Sequence, residues 1–441
     1  MKKTFYIETY GCQMNFSDSE IVASVLTDEN FIRTTNAEDA GVIFLNTCSI
    51  RDNAEQKILN RLKHLKSLKK KNKGMLIGIL GCMAERVKEK FFEEGVVDIV
   101  AGPDSYRDLP KLISSAEVSG NAFNIILSNE ETYADINPVR IDSNGVSAFI
   151  SIMRGCQNYC AYCVVPYTRG KERSREAATI ISEAKKLFEE GYREITLLGQ
   201  NVNSYIYNTI NFPKLLSDVS KINPALRVRF ATSHPKDLSD ELIDVVASHY
   251  NICKSIHLPL QSGSNNILKL MKRNYTRESY LEIITKIYNK IPGCTISTDI
   301  ISGFCGESEQ DHQDTLSVMK QAAFDYAFMF RYSERPGTFA AEKYNDDVPD
   351  DIKTNRLNEI IALQNKISLE KNKKDIGKTF AVLIEGRSKK SASQLSGKNS
   401  QNKVVVFTDE KHKAGDYVMV KILGCTSATL KGEIINSEGR S

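Results

Sequence analysis

The sequence predicts an α/β protein in three parts: an N-terminal parallel α/β sheet domain, a central partial (βα)6 barrel and a small C-terminal β-barrel. Three observations predict it. Apolar stretches alternate with amphipathic helical patterns through the first hundred or so residues, the pattern of a parallel sheet wound by right-handed crossovers. A second alternation of strand and helix units starts near Val146, after a turn-rich connection at Asn137, Pro138 and Asp142 to Gly145. The tail then changes to short strands of period-two apolar character separated by turns. The expected boundaries are residues 1–120, 140–372 and 375–438.

At 441 residues, 41% hydrophobic and 26% charged, the chain is long enough for two or three domains and a substantial core. No apolar run approaches transmembrane length, and the start MKKTFYIETYGC alternates polar residues where a signal peptide would be continuously apolar. Ten cysteines beside glycine-containing loops favour metal chemistry in a reducing cytoplasm over a disulfide scaffold. Net charge is only +4, but residues 376–441 hold eleven Lys and Arg against six Asp and Glu, so the remainder of the chain is slightly acidic. A basic excess confined to the tail is the footprint of a module that contacts a nucleic-acid backbone.

In the first part, 3–8, 41–46, 75–80 and 97–101 read as strands, and 17–26, 52–71 and 84–94 as helices. Cys12, Cys48 and Cys82 follow the first three strands, in YGCQMN, NTCSI and GCMAE. Ligands of open α/β sheets bind outside the carboxyl ends of strands, so the three thiols should converge and hold a metal group one ligand short of saturation. The competing reading makes each a packed strand-end residue. The stretch 57–73 carries Ile58, Leu62 and Leu65 on one face, Lys and Arg elsewhere and no acidic residue. A solvated face is the plainer reading of it, and an RNA-facing surface the sharper one.

The middle has strands near 147–153, 194–198, 227–232, 255–260, 295–301 and 326–332. After the first comes RGCQNYCAYCVVPYTRG, which sets Cys156, Cys160 and Cys163 in a C-x3-C-x2-C spacing. Sites in parallel barrels sit at the carboxyl ends of strands, where this loop falls. Three local thiolates leave one position of a tetrahedral zinc or of a cubane cluster for a ligand the protein does not supply. Zinc would want a fourth ligand nearby, and no His lies between His64 and His234. Polar phrases end other strands: LLGQN, ATSHP with His234, HLPLQSG with His257, and STDIISGF. Cys253, Cys294 and Cys425 stand in apolar or strand contexts and read as core. In the tail, a charged helix near 351–371 precedes TFAVLIEG, KVVVFT and YVMVKILGC, with a mobile polar hairpin or loop at 386–403.

These phrases resemble the radical S-adenosylmethionine (SAM) enzymes, and within them the MiaB-type tRNA methylthiotransferases, over nearly the whole chain. The resemblance implies that Cys156, Cys160 and Cys163 hold a [4Fe-4S] cluster whose open iron chelates SAM. It implies that Tyr162 lies against adenine and that Gly199 and Gln200 meet the methionyl amino group. It makes Cys12, Cys48 and Cys82 the ligands of an auxiliary [4Fe-4S] cluster, and the tail a TRAM-like domain that holds tRNA. One SAM would methylate a sulfur on the auxiliary cluster, and a second would be cleaved to a radical that removes hydrogen from C2 of N6-isopentenyladenosine beside the anticodon. A flavodoxin-type electron donor, a cytoplasmic location and a monomer are expected. GCQMN, CVVPYTRG and TSHP match the isopentenyladenosine branch, whereas branches acting on threonylcarbamoyladenosine or a ribosomal protein usually place lysine or proline after the first cysteine. Cys305 stands where the family usually has proline, and is expected to be inert. A non-catalytic RNA-binding protein with structural metal is the alternative of another class.

Overall fold

The structure is a computed structural model that describes residues 3–48, 52–87, 95–141, 144–389 and 391–435. Its N-terminal sheet has six parallel strands in the order Ile32–Arg33, Thr4–Thr9, Val42–Thr47, Leu76–Gly81, Ile99–Ala101, Ala122–Asn124. Val42–Thr47 and Leu76–Gly81 are buried at every residue, because helices cover both faces of a parallel sheet. The two edge strands are additions to the four expected from sequence; at two and three residues they are too short to show a period. The first helix, Gln13–Asp28, begins directly after Cys12, four residues earlier than expected. Its first turns carry buried Asn15, Ser17, Asp18 and Ser19, since that face meets another part of the protein instead of solvent. The helix expected at 84–94 begins at Cys82 and is described to Val87; residues 88–94 lie outside the described residues.

The central part forms two three-stranded parallel sheets joined by a bridge between Val228 and Ile252. One holds Ser147–Ser151, Glu194–Leu198 and Arg227–Phe230, the other Ser255–His257, Thr295–Ser302 and Tyr326–Arg331. Their outer faces and the surrounding helices share one core, built around residues such as Ile195, Val228, Ile256 and Phe324. Two strands end earlier than the apolar pattern suggests. Thr232 (φ 72°), two residues past Phe230, and Gln261 (φ 71°), four past His257, adopt left-handed backbone in the loops that follow. Such a conformation is uncommon for a β-branched residue and costs about 1–3 kcal/mol, strain of the kind that collects at functional rims.

The tail is a closed five-stranded barrel in the order Thr379–Ser388, Ser391–Lys398, Val404–Thr408, Thr429–Ile434, Tyr417–Cys425. Val382, Ile384, Leu395, Val405, Phe407, Val420 and Leu430 fill it from alternate positions. Of the mobile hairpin or loop expected at 386–403, the hairpin is what forms: most of the stretch is strand, paired antiparallel between Thr379–Ser388 and Ser391–Lys398. The turn that joins two of the five strands, residues 399–403, docks under the central barrel. Arg227 and Arg229 donate to the carbonyls of Lys398, Asn399 and Ser400, and Thr295 to that of Gln401. Arg227 and Thr295 open their strands and Arg229 stands two residues further along, so the tail docks toward the end of the barrel opposite the cysteine loop.

Candidate active site

The cysteine loop leaves the first barrel strand through Met153–Arg154, which pairs antiparallel with Arg173–Ser174 and fixes the loop's neck. Gly155 (φ 79°) sits so close to Lys171 that an added Cβ would stand 2.0 Å from its carbonyl oxygen, so only glycine fits. Tyr159 is also left-handed, at φ 46°. The three thiols interact with one another: Cys160 and Cys156 both raise Cys163, after burial as the main cause. Burial also pushes the Cys156 thiol up to about 11. Buried Arg273 donates to Cys160 Sγ at 3.4 Å and to the Pro259 carbonyl at 2.9 Å.

Around this loop stand the rim residues. Tyr162 packs edge-on against Phe304, with ring centroids 6.4 Å apart. A Cβ on Gly199 would lie 2.4 Å from Met153 Cγ, so its backbone presses against the neck of the loop. Gln200 Oε1, Asn201 Oδ1 and Ser233 Oγ are buried with no hydrogen-bond partner among the described residues. Buried polar atoms left unpaired cost about 1–3 kcal/mol each, and a cluster of them at one rim calls for a polar ligand. His234 accepts from the Lys236 amide, and burial beside Arg273 brings its imidazole down to about 2, so it is neutral. His257 meets Ser297 Oγ at 3.0 Å and Asp299 at 3.5 Å. Cys305 is buried with Phe304 and Tyr332, and burial raises its thiol. Cys253 and Cys294 are buried, and Cys425 packs beside the tail core. An open cavity of about 710 Å³ beside the loop is lined by Asn158, Tyr159, Lys269, Lys272, Arg273 and Tyr275.

Cys12, Cys48 and Cys82 do converge at the carboxyl ends of their strands. A Cβ on Gly11 would fall 2.2 Å from Cys48 Cβ, so glycine lets the first loop approach the second. A hydrogen bond from Cys48 outweighs burial and, helped by the Arg169 guanidinium, brings the Cys12 thiol down to about 6. Burial raises Cys82, against Arg169 and with Cys12. Among the described residues no group of three His, Cys, Asp and Glu is arranged to hold a metal ion by itself. Thiolates at separate corners of a four-iron cube stand further apart than the ligands of one ion, so the two sets are judged by donor type and surroundings. Both fit: among the described residues each offers three thiols, buried or half-buried, with an arginine donating to one of them, Arg169 to Cys82 and Arg273 to Cys160.

Sequence reasoning missed the charges between the sets. Asp18 and Asp104 of the N-terminal part face Arg154, Arg169 and Arg173 of the cysteine-loop region, and all five side chains are at most 4% exposed. Burial alone would raise Asp18, but Arg154 and Arg169 prevail and hold it below its ordinary value. Arg169 ends the helix Val165–Arg169 that follows Cys163, and its Nε donates to Cys82 Sγ at 3.1 Å. The phrase PYTRG contained it; nothing in one sequence pairs it with a residue 87 positions away. The basic helix Asp52–Lys71 buries Ile58, Leu62 and Leu65, while Arg61 pairs with Glu8 and Lys69 with Asp98, so part of its charge is spent on its own domain.

Comparison with known proteins gives these parts names. Residues 4–102 match the Uncharacterized protein family UPF0004, 150–319 the Radical SAM superfamily and 373–435 the TRAM domain. The radical SAM methyltransferase TsrM from Kitasatospora setae, solved with cobalamin and a [4Fe-4S] cluster, superposes with a TM-score of 0.60 over 77% of each chain at 12% identity. OxsB, a cobalamin-dependent SAM radical enzyme, gives 0.53 over 82% of this chain and 56% of its own at 14% identity. Likeness at that identity speaks for fold alone. The fold and the cysteine loop together define a radical SAM enzyme, a class whose cofactors are SAM and a [4Fe-4S] cluster. The chain is 55% identical over 440 residues to the tRNA-2-methylthio-N(6)-dimethylallyladenosine synthase of Bacteroides fragilis (strain YCH46), covering 99% of this chain and 96% of that one. To the synthase of the same name from Chloroherpeton thalassium it is 56% identical over 437 residues, covering 98% and 96%. The chain belongs to the family of tRNA-2-methylthio-N(6)-dimethylallyladenosine synthases.

Proposed function

We propose that this protein adds a methylthio group to C2 of N6-isopentenyladenosine beside the anticodon of tRNA, using SAM and two [4Fe-4S] clusters. Cys156, Cys160 and Cys163 are the ligands of one cluster, Cys12, Cys48 and Cys82 those of the other. The observation that carries the reading is the bridge between the sets: the helix that leaves Cys163 ends on an arginine bonded to Cys82. Two incompletely ligated thiol sets thereby meet at one domain junction, a requirement for bringing a radical and a sulfur donor to the same carbon. When bound, the cluster on the loop supplies the electron that cleaves SAM.

The chain's own residues do the rest. Gly199 and Gln200 receive the methionyl group, Gln200 through its unpaired buried oxygen, and Tyr162 offers a ring held by Phe304 to adenine. Arg273 donates to Cys160 Sγ and holds that sulfur in place. Neutral His234 can share a hydrogen bond without adding charge. The tail docked toward the base of the barrel covers it from below, and Lys269 and Lys272 at the open cavity meet backbone phosphates. An unpaired loop base can be splayed into such a site, whereas a paired one cannot. The parts work as domains 1–120, 140–372 and 375–438, in a cytoplasmic monomer reduced by a flavodoxin-type donor. Among the described residues no helix is long and apolar enough to cross a membrane. Mass spectrometry of tRNA nucleosides after anaerobic turnover, with intact-mass measurement of ribosomal proteins from the same mixtures, tests the reading: it expects 2-methylthio-N6-isopentenyladenosine, and a methylthiolated threonylcarbamoyladenosine in the first or a methylthiolated protein in the second would reassign the substrate.

A further inference from the structure

The Arg169 guanidinium is 3% exposed, yet it belongs to neither domain's core. Its Nε donates to Cys82 Sγ at 3.1 Å, and its Nη2 to Asp18 at 2.7 Å and to Asn15 Oδ1 at 3.2 Å. Nη1 is buried without a partner among the described residues. Arg173, by contrast, spends both arms of its fork on the two oxygens of Asp104, although its Nε is likewise buried without a partner among the described residues. Arg169 instead shares one arm between a carboxylate and an amide and gives its Nε to a sulfur, and its charge acts on both Cys12 and Cys82.

We infer that Arg169 is a positioning residue for the auxiliary centre: its fork fixes Cys82 against the cysteine loop, and its charge and N–H groups stabilise the reduced, more negative state of what that set holds. Hydrogen bonds to cluster sulfurs and local net charge are the levers by which a protein sets such a centre's potential. Asp18 and Asn15 clamp the guanidinium so that it cannot follow a moving ligand. The inference rests on the two-cluster reading proposed above.

The test uses the full-length reconstituted protein, with redox titration of each cluster followed by electron paramagnetic resonance. In Arg169→Gln, both clusters are retained and the ratio of reduced to oxidised auxiliary cluster at a fixed potential falls about tenfold, a shift of about 59 mV for one electron. The other cluster is unmoved, and methylthiolated product falls relative to deoxyadenosine. Arg169→Lys, which keeps charge but cannot reach both Cys82 and Asp18, shifts the potential less and restores part of the coupling. As control, Arg140→Lys weakens the same junction at Glu20 and Glu183 without touching a cysteine, and leaves both potentials alone. An unshifted auxiliary potential in whichever Arg169 variant retains both clusters overturns the inference, as does an equal shift in Arg140→Lys. Finding a single cluster in the unaltered protein overturns the reading beneath it instead, so the two failures are distinguishable.

Discussion

Cys156, Cys160 and Cys163 stand on one loop, whereas Cys12, Cys48 and Cys82 arrive from the ends of three strands. The first set carries its geometry locally, in the left-handed turns of Gly155 and Tyr159 and the short neck at Met153–Arg154. The second depends on sheet register, on the close approach of Gly11 to Cys48, and on an arginine lent by the other domain. A local set needs only its loop; a distributed set needs the junction of two domains to be intact. Damage at the junction should therefore reach the distributed set first.

The largest expected effect separates the two by function. Cys160→Ala should abolish deoxyadenosine formation, while Cys82→Ala should retain SAM cleavage and lose methylthiolated nucleoside, both read by chromatography of turnover mixtures. Retained cleavage in Cys160→Ala, or lost cleavage in Cys82→Ala, would erase the distinction. Next comes the junction itself. Asp18→Asn leaves buried Arg169 without a carboxylate and Arg154 with only Asp104, 3.6 Å away, a defect costing on the order of 3–5 kcal/mol by denaturant unfolding. Its pH dependence has a definite sign. A carboxyl held below its usual value of about 3.9 contributes stability above that pH and loses it as pH falls through the lower folded value. Asp18→Asn should lack this part of the acid transition, and an unaltered acid limb would detach Asp18 from the junction's stability.

A smaller effect sharpens the local side. Gly155→Ala forces both a collision with the Lys171 carbonyl and a strained left-handed alanine, about 1–3 kcal/mol, and should lower iron on the loop cluster before the auxiliary one. The smallest is electrostatic: exposed Lys421 on the tail barrel, changed to alanine, should lower the salt slope of tRNA binding by about 1 and move neither cluster. Removing the whole tail is a poorer probe. It strips the carbonyl partners from buried Arg227 and Arg229 and would destabilise the barrel along with RNA binding.

What could be read from sequence divides along the same line. The cysteine loop, the six barrel strands and three of the five tail strands are short-range patterns and stand close to where periodicity put them, whereas Ser391–Lys398 and Thr429–Ile434 are too polar or too mixed to show one. The start of helix Gln13–Asp28 was misplaced because its polar first turns look like a loop until Arg154 and Arg169 are there to bury them. The docking of residues 399–403 was invisible for the same reason: a polar segment becomes ordered when arginines from strands far away claim its carbonyls. Arg169 and Arg273 escaped notice because their sulfur partners lie 87 and 113 positions distant.

The central claim, two thiol sets each holding its own cluster, is tested most directly by iron analysis and Mössbauer spectroscopy of the unaltered protein beside a variant with Cys12, Cys48 and Cys82 all changed to alanine. The account predicts about eight irons per chain in the first, and about four in the second with SAM cleavage intact. About four in the unaltered protein, or a variant that loses all its iron, would contradict it.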